Sequence, residues 1–83
     1  MTNHSIKAQL HTLRQYLETN RSATTTEIRH DLDILQPAAR IFELRHEQNL
    51  NIKRTWKVTE NPGGTDHKVA LYTLHEGFYK EVA

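Results

Sequence analysis

The sequence predicts an α+β domain in which three helices are followed by a two-stranded β-hairpin. Three observations predict it. Apolar residues recur every three or four positions as far as Leu44, and every second position from Ile52. Pro37 stands in front of the last helical stretch, where a residue with fixed φ and no amide hydrogen fits the first turn. Two alternating stretches flank Glu60-Asn61-Pro62-Gly63-Gly64-Thr65-Asp66, the densest run of turn formers in the chain.

The first helix follows from Ile6, Leu10, Leu13 and Leu17, spaced by four, three and four; at about 100° per residue they stay within about 60° of arc. Ser5 fits the N-cap and Asn20 the left-handed residue past the end, for a span of about 6–19. The outward side, Lys7, His11, Gln15 and Glu18, reads as solvated surface. Thr24 and Glu27 then stand in capping-box relation, with Ala23 and Ile28 as a weak hydrophobic staple. The second helix is therefore about two turns long, with Ile28 and Leu32 on one face, and ends by Asp33. Ile34 and Leu35, in the turn that follows, are expected to seal the space between helices.

The third helix spans 37–48, with Gln36 beside its cap. Taking Ile41 as the origin, Ala38, Leu44 and Arg45 lie within about 60° of it, while Gln36, Ala39, Glu43 and His46 cluster opposite, flanked by Arg40 and Glu47. One side is buried and the other presented. Asn49 suits the left-handed position after the helix. Ile52, Arg54, Trp56 and Val58 then alternate with Lys53, Thr55, Lys57 and Thr59, the period of a strand. In the second strand, 67–74, either Ala70, Tyr72 and Leu74 or Val69, Leu71 and Thr73 face inward. Residues 1–74 form the domain; 75–83 are a C-terminal tail that either frays or docks through Phe78 and Tyr79.

Composition narrows the function. The 83 residues are 36% apolar and 25% charged and contain no cysteine, which suits one small core, no disulfide framework and a cytoplasmic setting. No apolar run is long enough to span a membrane and no secretory signal follows Met1, so no membrane partner is expected. The six histidines include no pair at i, i+4, and His4 and His11 would stand about 10 Å apart on a helix. No metal site or other cofactor is expected. No nucleophile, paired acids or phosphate loop marks an enzyme.

The net charge of +1 is low for a nucleic-acid partner, but its distribution is uneven. Residues 1–36 carry four basic and four acidic side chains, 37–74 six and four, and 75–83 one and two. The excess falls on the third helix and the hairpin.

Two short helices joined by a turn, followed by a hairpin, are the parts of a winged helix-turn-helix, with helix 37–48 sized for the major groove of duplex DNA and hairpin 52–74 placed on the backbone. The string Pro37-Ala38-Ala39-Arg40-Ile41-Phe42-Glu43-Leu44-Arg45, then Asn49-Leu50-Asn51-Ile52 and Leu71-Tyr72-Thr73-Leu74, resembles a family of short helix-turn-helix domains of bacteriophages and prophages. The similarity covers about residues 6–74. Asn49-Leu50 stands where that family has glycine and an aromatic residue. What the resemblance implies is double-stranded DNA binding by a small phage or prophage transcriptional regulator.

The expected DNA-facing residues come from three places. Thr25 and Thr26 begin the second helix; their free amides and hydroxyls suit a phosphate, although capping already accounts for a threonine run. Gln36, Ala39, Arg40, Glu43 and His46 form the presented side of the third helix, with Arg40 and Gln36 chemically suited to guanine and adenine. Lys53, Lys57, His67 and Lys68 charge the wing and Gly64 lets its tip approach a backbone closely, although lysine also blocks edge-to-edge strand pairing. Arg45 points toward the core and is expected to be structural, bonded to Asp31, Asp33 or helix-end carbonyls. Trp56 and Tyr72 are expected in the core. One small unit buries little DNA, so a homodimer or cooperative oligomer on repeated sites is expected. Two other readings fit the same parts: a module docking a host or phage protein through Phe42, Phe78 and Tyr79, and a DNA-bending recombination accessory factor.

Overall fold

The computed structural model describes residues 5–60 and 66–80, with Thr59, Glu60 and Asp66 described by backbone alone. The elements run α1 (Ile6–Asn20), β1 (Ser22–Thr24), α2 (Thr25–His30), α3 (Pro37–Glu47), β2 (Leu50–Glu60) and β3 (Asp66–Phe78). The helices cover one face of a three-stranded antiparallel sheet of order β1-β3-β2. The expected hairpin thus gains a third strand. β1 is three residues long with only Ala23 apolar, too short for any periodic signal. It forms because Arg21, at φ 70°, ends α1 and turns the chain beside β3, where the Leu74 amide donates to the Arg21 carbonyl at 2.7 Å.

Local chemistry sets the helix ends. Ser5 accepts from the Ala8 amide as N-cap of α1. The left-handed residue is Arg21 rather than Asn20, because the Asn20 amide group donates back to the Tyr16 carbonyl and carries the helix one residue further. At α2 the capping box is complete, with Thr24 Oγ1 accepting from the Glu27 amide and a Glu27 carboxylate oxygen accepting from the Thr24 amide, both at 3.1 Å. The other Glu27 oxygen accepts from the Tyr16 hydroxyl at 2.8 Å, tying α1 to α2. The Thr24 amide, then the Tyr16 hydroxyl, hold the Glu27 carboxyl below its ordinary pKa, and the same carboxylate raises that of Tyr16. α2 ends at His30, earlier than its apolar pattern suggests, and Asp33 at φ 56° completes the turn. Of the adjacent pair in that turn, Ile34 is fully buried but Leu35 is 79% exposed, since neighbouring residues there point opposite ways.

Leu13, Leu17, Ile28, Ile34, Ile41, Leu44 and Ile52 form the core, with Ala23, Ala70 and Tyr72 beneath them on the sheet. Burial thereby decides which set of β3 faces inward: Ala70 and Tyr72. Trp56 is a correction, being 60% exposed on the same face of β2 as buried Ile52. β2 and β3 run far past the helices, so only the base of the hairpin is covered and the remainder projects as a wing. Arg54 stacks on the Trp56 ring at 5.2 Å, covering part of an aromatic surface that the core does not reach.

The C-terminal stretch continues as strand to Phe78 rather than leaving the domain at residue 74. Pairing passes from Asn51↔His75 to Leu50↔Phe78, so Glu76 and Gly77 bulge out. Gly77 takes φ 87° in the bulge, and the Asn51 side-chain amide donates to the Glu76 carbonyl. The chain then turns back, and the Tyr79 amide donates to the carbonyl of Asn49, itself left-handed after α3. Tyr79 docks on the domain, while Phe78 remains exposed.

Candidate nucleic-acid interface

α3 is held by its buried stripe of Pro37, Ile41 and Leu44 and by Arg14 of α1, whose guanidinium donates to Gln48 at its C-cap. Packing sets its rotation, which differs from that expected. Ala38, Phe42 and His46 form the exposed ridge, with Ala39 half-buried beside them. Arg40 and Glu43, expected to face outward, are a half-buried pair: Arg40 Nε lies 2.6 Å from Glu43 Oε1, and the Arg40 side chain is only 12% exposed. Neither buried atom has another hydrogen-bond partner among the described residues. The helix is turned because α1 covers the Arg40 flank, where Gln9, Asp33, Leu35 and Gln36 line a notch beside it. Gln36 is exposed there at the N-cap and makes no capping bond.

Arg45 is structural, but its partners are not Asp31 or Asp33. Its Nε donates to the Ile52 carbonyl at 2.8 Å, locking α3 to β2, and its guanidinium lies 4.9 Å from the Tyr79 ring centre. The Tyr79 ring meets His46 edge-on at 5.6 Å, and His46 stacks against Phe42 at 4.1 Å. A continuous aromatic row therefore runs along the exposed side of α3 to the base of the wing.

Between α3 and the wing lies a cleft of about 460 Å³ lined by Arg45, Asn51, Lys53, Arg54, Tyr79 and Lys80, with no acidic side chain among the described residues of its wall. The cationic side chains of Arg45, Arg54 and Lys80 around one opening suit a polyanion. Sequence reasoning did not select Arg54 or Lys80: Arg54 looked like a flaw in an inward-facing row, and Lys80 fell in the tail. The charge excess of residues 37–74 is a signal for Arg54 only; Lys80 lies in the net-acidic stretch 75–83, which carries none.

The other expected residues are divided between faces. Strand alternation and register place Lys68, opposite Val58, on the α3 side of the wing with Arg54 and Trp56. Lys57, opposite Val69, and His67, opposite Thr59, project from the other side, as does the side chain of Lys53, although that residue also borders the cleft. All four are exposed. Thr25 is half-buried and Thr26 exposed in the first turn of α2. Gly64 lies outside the described residues.

A family model described as a winged helix-turn-helix domain matches residues 8–77, most of the chain and every element above. The chain belongs to the winged helix-turn-helix family. Comparison with curated proteins and with solved structures finds no match. Membership of the winged helix-turn-helix family implies a DNA partner. In that fold α3 is the second helix of the helix-turn-helix and the β2–β3 hairpin is the wing.

Proposed function

We propose that this winged helix-turn-helix protein binds duplex DNA sequence-specifically and regulates transcription. In this reading the ridge of Ala38, Phe42 and His46 enters the major groove, and Arg54, Lys68 and Lys80 contact flanking phosphates. The cleft bordered by Arg45, Arg54 and Lys80, with no acid among its described lining residues, beside the exposed ridge of α3, is the observation that carries the reading. The resemblance of residues 37–45 and 71–74 to short phage and prophage domains favours a regulator on a mobile element. A net charge of +1 limits non-specific attraction, so useful affinity requires base contacts together with a homodimer or cooperative binding to repeated sites.

The test is a fluorescence-anisotropy titration against a random-sequence duplex pool, run from about 50 mM salt upward, where released counterions favour binding at the low end. Binding that weakens steeply with salt and enriches one sequence on repeated selection supports the reading. Failure to bind any duplex at about 50 mM refutes it and redirects attention to a protein partner for exposed Phe42 and Phe78.

A further inference from the structure

We propose that Phe42 selects a thymine by packing on its 5-methyl group in the major groove, with His46 positioning the ring. This rests on the DNA-binding reading above and names the base that the α3 ridge recognises. Phe42 is 58% exposed in the second turn of α3, one turn after Ala38 and one turn before His46. An aromatic side chain at the centre of a presented helix face has no core function. Its ring is backed on the C-terminal side by His46, which is backed in turn by Tyr79. This row limits the ring's freedom before any ligand arrives.

The arginine and glutamine side chains able to pair with guanine or adenine are either engaged by the protein or, in the case of Gln36, placed in the notch on the α1 side rather than on the ridge. Arg40 is bound to Glu43, Arg45 donates to the Ile52 carbonyl, Gln48 accepts from Arg14, and Gln36 sits beside Gln9 and Asp33 in the notch on the α1 side. The ridge left to meet base edges carries the Ala38 methyl, the Phe42 ring and the His46 imidazole that backs that ring. Among the four bases, thymine alone offers an apolar group in the major groove. The same ring over a cytosine amino group would cover a donor without pairing it, so the contact discriminates as well as attracts. Charge complementarity identifies the occupant of this apolar ridge: the cations of the adjoining cleft, Arg54 and Lys80 among them, suit a phosphate backbone rather than an apolar peptide.

The experiment begins with a duplex selected from a random pool by the full chain. Each thymine is then replaced singly by deoxyuridine, which removes only the methyl group, and affinities are compared for the native protein and for Phe42→Ala and Phe42→Leu. The expected result is one thymine at which deoxyuridine weakens native binding about fourfold, the worth of one buried methyl. Phe42→Ala should bind the two duplexes equally, and Phe42→Leu should keep part of the difference. Thermal melts of the variants should match the native protein, because the residue is exposed. Equal native affinity for every deoxyuridine duplex overturns the proposal while leaving DNA binding intact. So does a methyl preference that Phe42→Ala retains, or a selected site without thymine. If no duplex is enriched at all, the DNA-binding reading itself has failed.

Discussion

Glu27 joins two helices through three hydrogen bonds, and replacing it measures how much of the fold depends on that junction. Glu27→Ala removes the acceptor for the Thr24 amide at 3.1 Å and the acceptor for the Tyr16 hydroxyl at 2.8 Å, leaving only the Thr24 half of the capping box. A capping interaction is worth about 1 kcal/mol. The bond from Tyr16 to a half-exposed carboxylate adds about 1 kcal/mol, at the low end for a charged acceptor. The total of about 2 kcal/mol corresponds, for a domain of this size, to a fall in Tm of roughly 12 °C, read by circular dichroism at pH 7. Glu27→Gln keeps a capping acceptor but not the charge, and should lose roughly half as much. The Thr24 amide, then the Tyr16 hydroxyl, hold the folded carboxyl below its ordinary pKa, so its stabilisation is complete above the unfolded value and disappears as pH falls through the folded one. The gap between the native protein and Glu27→Gln should therefore be full at neutral pH and shrink in acid. A Glu27→Ala shift below about 3 °C, or a Glu27→Gln gap that widens in acid, would refute the reasoning.

Three further outcomes follow from the same geometry. Arg40→Ala leaves the half-buried Glu43 carboxylate without its counter-ion and should cost about 1–2 kcal/mol in thermal melts; unchanged stability with altered sequence preference would return Arg40 to the interface. Arg54→Ala combined with Lys80→Ala should weaken binding to all duplexes alike and lower the slope of log affinity against log salt by about 2, whereas a change in preference with no change in slope would make them base readers. Gly77→Ala meets no atom within 4 Å but must hold φ 87°, so it should lose about 1 kcal/mol from backbone strain alone; a neutral result in melts would mean that the bulge can relax.

Legibility differs between the fold and the candidate site. Ile6, Leu10, Leu13 and Leu17, the Thr24–Glu27 box, Pro37 and the alternation after Ile52 each write a local rule into adjacent residues, and each element stands where its rule places it. The site depends on rotation and reach, which no local rule contains. With Pro37, Ile41 and Leu44 buried, α3 still had an arc of permissible orientations. α1 narrowed that arc by covering the Arg40 flank, which moved the presented face from Glu43 toward Phe42.

Trp56 illustrates the same division. Its alternation with Ile52 correctly gives the side of β2 on which it lies, but not how far the helices extend over that side. Being on the inner face and being covered are separate facts, and only the second requires the tertiary structure.

By itself, the sequence determined the order and type of the helices, where each begins, the hairpin and the local excess of positive charge, because these depend on contacts within a few residues. The tertiary structure alone decided the pairing of β1 with β3, the bulge that returns Tyr79 to α3, the exposed flank of that helix and the gathering of Arg45, Lys53, Arg54 and Lys80 around one cleft. Each of these joins residues distant along the chain, and their geometry is set by how the shared core packs.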